Sequence, residues 1–291
     1  MSDQPKISVV IRVRNEAAFL EKTLTALKLQ NCSSLELIVV DNESTDGSRE
    51  IAERFGAKIV KISMKEFSYG RASNRGFQAA TGDVVVLLSA HSLPIGCDFL
   101  STAAKPFVDP RVAAVRLLHI GNRPELHSWM EQGEVLTGSA GLEDVIYAGP
   151  TACGCAIRRS IWETLRFDES MASVEDKFWA KAALAKGYIV VKAPAAYLYM
   201  RERTLREHVR IMTRDRLEYF RQTGALLDGG PRLSSLLHTL FWVVPKRALR
   251  TIVQETSLYC SLKTIPRSAR VQPSPAHLAK HPADPFSESQ A

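Results

Sequence analysis

The chain has 291 residues, 45% of them hydrophobic and 24% charged, with a net charge of +7, the composition of a soluble globular protein large enough for one sizeable α/β domain with additions. Its five cysteines (Cys32, Cys97, Cys153, Cys155, Cys260) are odd in number and form no Cys-x-x-Cys pair, which points to neither a disulfide framework nor a zinc site and suits a reducing cytosol. The opening Met-Ser-Asp-Gln-Pro-Lys lacks a basic stretch followed by an apolar core, and the longest apolar run, Leu240 to Val244, is far below the roughly 20 residues that cross a bilayer, so a cytoplasmic chain without a cleaved leader or a membrane span is expected.

In chain order, the β-branched run Ile7 to Val13 predicts a strand, and Ala17, Leu20, Leu24 and Leu27 recur at helical spacing after Glu16. The order then repeats: strand Leu35 to Val40, helix Gly47 to Phe55, strand Lys58 to Ile62, a loop with Phe67, Tyr69 and Gly70, helix Arg71 to Ala80, and strand Asp83 to Leu88. A helix over 97–108 and a strand over Ala113 to Leu118 follow. Residues 125–142 carry no clear period and are expected to form a mobile loop near an acceptor. Order resumes as a strand over 151–160, a helix over Val174 to Lys186 with Phe178, Ala182 and Leu184 inward, and a final strand Ile189 to Val191. Strands alternating with helices predict a parallel sheet with right-handed crossovers.

Beyond Arg201 the pattern is helical and basic to about Ile265. Residues 201–250 hold eleven Lys and Arg against five acids. Such a face suits a polyanion, whether a nucleotide diphosphate, an acidic membrane or nucleic acid, and equally a plain solvated helix surface. The tail from Pro266 has five prolines among Ser and Ala and reads as disordered. The expected division is a main domain over 1–200, a basic helical extension over 201–265 and a Pro-rich tail over 266–291.

The all-apolar run Leu37 to Val40 suits a strand buried on both faces, whose carboxyl end opens on a ligand crevice. Asp41 then sits at the lip of that crevice, where a carboxylate can accept hydrogen bonds from a ribose hydroxyl or a base N–H, or can simply turn the chain. Asn42, Ser44 and Thr45 supply turn chemistry, and Asp46 or Ser44 can cap the helix that starts near Gly47. The loop Arg12-Val-Arg14-Asn15-Glu16 leaves the first strand at the same edge.

These pieces, together with Phe67 to Gly76, Ala156 to Trp162 and Val174-Glu175-Asp176 to Ala180, resemble glycosyltransferase family 2 over residues 6 to 200. The resemblance implies a Rossmann-like α/β fold of the GT-A type and inverting transfer of a sugar from a nucleotide-diphosphate sugar, with a uridine or deoxythymidine diphosphate donor favoured, to a glycan or lipid-linked acceptor and with no nucleic-acid partner. It also implies that Val13, Arg14, Asn15, Glu16 and Asp41 hold the base and ribose, that Arg71 and Asn74 approach the nucleotide at a helix start, and that Asp176 is the base. Arg71 also fits a surface charge, and Asn74 a helix cap. Glu175 adjoins the base, and Trp179 fits either a sugar-stacking face or core packing.

Two departures from the family pattern stand out. Where members usually carry Asp-x-Asp to hold a divalent ion, this chain reads Ser89-Ala90-His91-Ser92. His91 could ligate manganese, but imidazole suits magnesium poorly; alternatively His91, beside Ala90, contacts the diphosphate directly. After the last strand, Arg201 and Arg203 stand where a metal-binding His is usual, and guanidinium groups can neutralise a diphosphate without an ion. Weak or absent dependence on Mn or Mg is therefore expected. A relative that has lost catalysis and binds nucleotide sugars or glycans is the alternative, and peripheral contact of the Leu236 to Arg250 stretch with an anionic inner-membrane surface is left open against core packing.

Overall fold

The structure is a computed structural model that describes residues 5–32, 34–120 and 135–225. The expectations for most of the 125–142 loop, the Leu236 to Arg250 stretch and the tail from Pro266 lie outside these residues.

The chain is α/β, with helices on both faces of a nine-stranded sheet in the order β3-β2-β1-β4-β8-β6-β9-β5, and β7 pairs with β9 off this path. The first half follows the alternation read in the sequence: β1 (Ile7–Val13), α1 (Ala17–Lys28), β2 (Leu35–Asp41), α2 (Ser48–Arg54), β3 (Lys58–Lys61), α3 (Tyr69–Ala79) and β4 (Val84–Ser89). All pairings among these four strands are parallel. Then come β5 (Ser92–Pro94), α4 (Phe99–Ala104), β6 (Val112–Ile120), β7 (Val135–Leu136), α5 (Leu142–Ala148), β8 (Gly154–Arg158), α6 (Arg159–Thr164), α7 (Glu175–Ala185), β9 (Ile189–Tyr199) and α8 (Leu205–Thr223).

Strict alternation breaks at β8, which runs antiparallel between β4 and β6. The helix expected over 97–108 stops at Ala104 and tightens into a 3-10 turn at Lys105–Val108, where Pro106 removes a backbone donor. The last strand is much longer than Ile189 to Val191. A register shift pairs Leu117 with Ala193 but Leu118 with Ala196, so a bulge lifts Pro194 out of the ladder and lets the strand run on to Tyr199.

The period of two along the central strands divides the core into two. Val9, Ile11 and Val13 of β1 with Val84, Val86 and Leu88 of β4 pack beneath Leu20, Leu24 and Leu27 of α1. Val10, Val85 and Leu87 face the other way, against Ile38, Phe77 and Trp162. Each of Leu20, Leu24 and Leu27 is fully buried, which contributes roughly 1.5–3 kcal/mol per side chain. Helix α3 lies so close to the sheet that a Cβ at Gly76 would overlap Val10 Cγ1. On α7 the inward residues are Trp179, Ala180, Ala183 and Leu184, while the expected Phe178 and Ala182 are half-buried. One compact unit spans Met1–Leu227 and includes α8.

Candidate functional site

The strand order reverses at β1, which has β2 on one side and β4 on the other. In a doubly wound sheet the crevice outside the carboxyl ends at such a point is where ligands bind. The exit of β1 is pinned to the exit of β2: Asn15 Oδ1 accepts from Thr45 N at 2.9 Å, while the N–H groups of Asn15, Glu16 and Ala17 donate to Ser44 Oγ at 3.1 Å, Ser48 Oγ at 3.0 Å and Asp46 Oδ2 at 2.9 Å. Asn15 adopts φ 51°, a left-handed conformation that Asn tolerates better than most residues. Burial opposes ionisation of Asp46, but hydrogen bonds from Ser48 and Ala17 outweigh it and hold the carboxyl below its ordinary range. Arg14 is exposed.

Asp41 is buried at the end of β2. Its Oδ1 accepts from Ser44 N at 3.2 Å and its Oδ2 from Arg49 Nη2 at 2.8 Å. Arg49 was not singled out in the sequence, because on a short helix it looks like an ordinary surface cation. Beside it, Asn42 Oδ1 is buried with no hydrogen-bond partner among the described residues.

The exit of β4 is held by Thr23 Oγ1, which donates to Ala90 O at 2.7 Å, and by the Met200 N–H, which donates to His91 O at 2.8 Å. His91 Nδ1 lies 3.3 Å from Glu16 Oε2, and Glu16 Oε1 accepts from Arg201 Nη1 at 3.1 Å. Arg201 reaches Glu207 as well, at 3.1 Å. The Tyr199 ring meets His91 edge-on at 4.4 Å and carries the Arg203 guanidinium 5.0 Å from its centroid; Arg203 also donates to the Tyr199 hydroxyl. Burial pushes that hydroxyl up to about 12. The structure thus brings Glu16, His91, Arg201 and Arg203 together at the switch point.

As a divalent-ion site these donors fit poorly. They are one imidazole and one carboxylate already paired with Arg201, whereas magnesium demands near-octahedral oxygen ligation. Among the described residues no group of three or more His, Cys, Asp or Glu is placed to hold a metal.

The second acidic element lies at the start of α7. Val174 precedes it at φ 57°, an unusual conformation for a β-branched residue. Asp176 Oδ2 accepts from Ala152 N at 2.7 Å and its Oδ1 from Lys177 N at 2.8 Å. The carbonyl oxygen of the same residue, Ala152 O, accepts from Arg12 Nη2 at 3.3 Å, and Arg12 Nη1 reaches Glu175 Oε1 at 3.3 Å. Arg12 therefore ties the end of β1 to both carboxylates.

Despite that ion pair, the Glu175 carboxyl is pushed up to about 7, by burial first and by the neighbouring Asp176 charge second. The Arg12 charge lowers it too little, because the same guanidinium is shared with Tyr69 O, Ser73 Oγ and Ala152 O. Lys177 is buried with Nζ on Gly149 O at 3.0 Å, and burial pulls its ammonium down. The signal that could have flagged Arg12 is a cation inside a strand whose other residues are all core.

Three of the expected site residues are engaged within the protein. The cap of α3 is Ser68 rather than Asn74. Asn74 Oδ1 accepts from Trp162 Nε1 at 3.0 Å and Phe167 N at 3.1 Å, and Asn74 Nδ2 donates to Phe167 O at 2.9 Å and Glu169 Oε1 at 3.0 Å, which uses the whole capacity of a carboxamide. Arg71 is tied to Glu169 Oε2 at 2.7 Å and Glu66 O at 2.9 Å, and with Asn74 it holds the Glu169 carboxyl low. Trp179 is core: it is buried against Phe167 and donates to Leu165 O, so its ring has no open face for a sugar.

The model of the family described as glycosyl transferase family 2 matches residues 8–163, more than half of the chain, and the chain belongs to that family. An uncharacterized glycosyltransferase of Nostoc sp. is 39% identical over 89 residues, which cover 29% of this chain and 28% of that protein. An O-antigen chain rhamnosyltransferase of Salmonella anatum is 31% identical over 177 residues, 56% of this chain and 55% of that protein. The chain thus spans about half or less of the length of these two relatives. A mannosyltransferase from Pyrobaculum calidifontis, in complex with GDP-Man and Mn2+, superposes with a TM-score of 0.59 at 21% identity over 96% of this chain and 79% of that one. For S. aureus TarS 1-349 in complex with UDP-GlcNAc the TM-score is 0.57 at 18% identity, covering 68% and 59%. At such identities these structures establish the shared fold.

Proposed function

We propose that this member of glycosyl transferase family 2 moves a sugar from a nucleotide-diphosphate sugar to an acceptor hydroxyl, with inversion, in the synthesis of a cell-surface polysaccharide or glycolipid. The carrying observation is the Arg12 tie, which sets Glu175 and Asp176 at the same sheet edge as the β1 and β2 exits. The kinship with an O-antigen rhamnosyltransferase supports the polysaccharide context.

In this reading Asp41, Asn42 and the Val13 to Glu16 loop face the base and ribose. Asp176 accepts the proton of the acceptor hydroxyl as its oxygen bonds to the anomeric carbon and the bond from that carbon to the diphosphate oxygen breaks. Two backbone N–H groups hold the Asp176 carboxylate in place, and one positioned base is worth roughly two to four powers of ten in rate. Glu175, its carboxyl pushed up to about 7 by burial, is partly protonated near neutrality, and Asp176 takes the role of base. Charge developing on the diphosphate is met by His91, in the stretch where the family usually carries a metal-binding acid pair, and by Arg201 and Arg203, where a metal-binding His is usual.

A second reading, a nucleotide-sugar or glycan binder without turnover, is favoured by the lack of any acid over Ser89 to Ser92. One experiment separates the two. Purified protein is scored by thermal shift against a panel of nucleotide sugars, with and without manganese, and the donor that raises the melting point is then assayed for transfer or hydrolysis with Asp176→Asn as control. Turnover lost in that variant with donor binding intact supports the transferase; binding with no turnover in either protein supports the binder.

A further inference from the structure

We propose that helix α8 is a docking face for an anionic lipid bilayer. It divides its side chains by chemistry. Val209, Met212, Leu217 and Phe220 are exposed by 54%, 40%, 53% and 46%, far more than an isolated surface apolar residue needs. Arg206, Arg210, Arg216 and Arg221 are exposed beside them. The helix has three acids, and none joins this face. Glu207 is half-buried and bonded to Arg201 and the Thr204 cap, Asp215 is half-buried on Arg214, and Glu218 is buried with Arg221 and Gln222 on it.

A cleft of about 360 Å³ opens within the same face, lined by Ala172, Arg210, Thr213, Arg214, Leu217 and Arg221. Arg210, flanked by Arg214 and Arg221 that already hold Asp215 and Glu218, sits with Leu217 on this cleft as a seat for a phosphate headgroup whose acyl chains pass over Leu217. A basic helix that presents Phe and Leu among arginines lies in a bilayer interface, and charge selects an anionic one. An apolar protein partner would leave Arg206 and Arg210 facing no acid, so charge complementarity favours the bilayer over a second copy of the chain.

The orientation serves the carboxylates. Arg214 stands 5.0 Å from the Tyr69 ring centroid, on whose ring Arg12 also stacks at 5.1 Å, and Ala172 is three residues from Glu175. The cleft and the α7 carboxylates therefore adjoin, and a lipid-anchored molecule would meet both.

The test uses the whole chain and vesicles, with no assay of activity. Sedimentation with phosphatidylcholine vesicles containing phosphatidylglycerol should capture the protein at least tenfold better than phosphatidylcholine alone, and 0.5 M salt should reverse this. Arg206→Gln/Arg210→Gln should weaken partitioning roughly 25-fold, at about fivefold per arginine, whereas Arg206→Lys/Arg210→Lys should retain it. Val209→Ser/Phe220→Ser should lose binding even at low salt. All these side chains are exposed, so each variant should melt within about 2 °C of the parent. Equal binding to neutral vesicles, unchanged binding by both the Gln and Ser variants, or a dimer that these variants dissociate would overturn the proposal.

Discussion

Replacing Glu175 by Gln should change how stability depends on pH. In the folded chain the Glu175 carboxyl is raised from 4.5 to about 7 by burial and by Asp176. The native state therefore holds a proton between pH 4.5 and 7 that the unfolded chain has released, and stability contributed at low pH is lost as pH rises through that window. At about 1.4 kcal/mol per pH unit, the shift from 4.5 to about 7 amounts to about 3 kcal/mol at pH 8. Gln keeps the shape and an acceptor for Arg12 Nη1 but does not ionise. The difference between the variant and the parent should be near zero at pH 4.5 and should grow to about 3 kcal/mol in favour of the variant at pH 8, roughly 6–12 °C in melting temperature for a domain of this size. Urea unfolding of both proteins at pH 4.5, 6, 7 and 8 reads the difference directly, and other titrating groups cancel in the subtraction. A difference that stays flat across this range would refute the claim that burial and Asp176 raise the Glu175 carboxyl.

The remaining outcomes concern the site and its supports. Asp176→Asn should lower transfer by roughly 10²–10⁴ and leave nucleotide binding, read by calorimetry, within about twofold; retained turnover would remove Asp176 from the base role. A chelator should leave the initial rate within about tenfold, whereas Arg201→Ala/Arg203→Ala should lower it by roughly 10²; activity lost to the chelator and restored only by a divalent ion would return the phosphate charge to a metal. Asn74→Ala should destabilise the chain by about 2–5 kcal/mol, because Trp162 Nε1 and the Phe167 N–H lose their acceptor in a buried setting, with little effect on donor affinity. A large loss of donor binding in a well-folded Asn74→Ala protein would restore Asn74 to the nucleotide site.

What could be read in the sequence followed what local pattern encodes. The runs Leu37 to Val40 and Val84 to Leu88 are apolar on both alternating faces, and Ile7 to Val13 is apolar on one face and interrupted by Ser8 and Arg12 on the other, so central parallel strands with ligand groups at their carboxyl ends were legible. The direction of Gly154 to Arg158 was not, since five residues carry no mark of parallel or antiparallel pairing. The stretch Pro194-Ala195-Ala196 hid the length of β9, because the bulge that rescues it is a feature of pairing with β6. Asp41, Glu16 and His91 could be placed at the sheet edge because they end strands or follow them directly. Arg12 and Arg49 were missed because a cation's partners lie far away in sequence: Arg12 collects acceptors from α3, α7 and residue 152. Asn74 and Trp179 show the converse. Their residue types suit ligand contact, but their capacity is consumed by Phe167, Trp162 and Leu165.

Val174 sets a trade-off for this site. A β-branched residue in the left-handed region costs roughly 1–2 kcal/mol, and here that conformation immediately precedes Glu175 and Asp176. The contacts of Arg12, Ala152 and Lys177 hold the two carboxylates against the preference of their own backbone. Glycine at 174 would adopt the turn freely, but it would also widen the range of directions in which the pair can point. Relaxing the turn and aiming the carboxylates pull in opposite directions at this residue, so a stabilising substitution here should show up as a looser carboxylate pair before it shows up as a tougher protein.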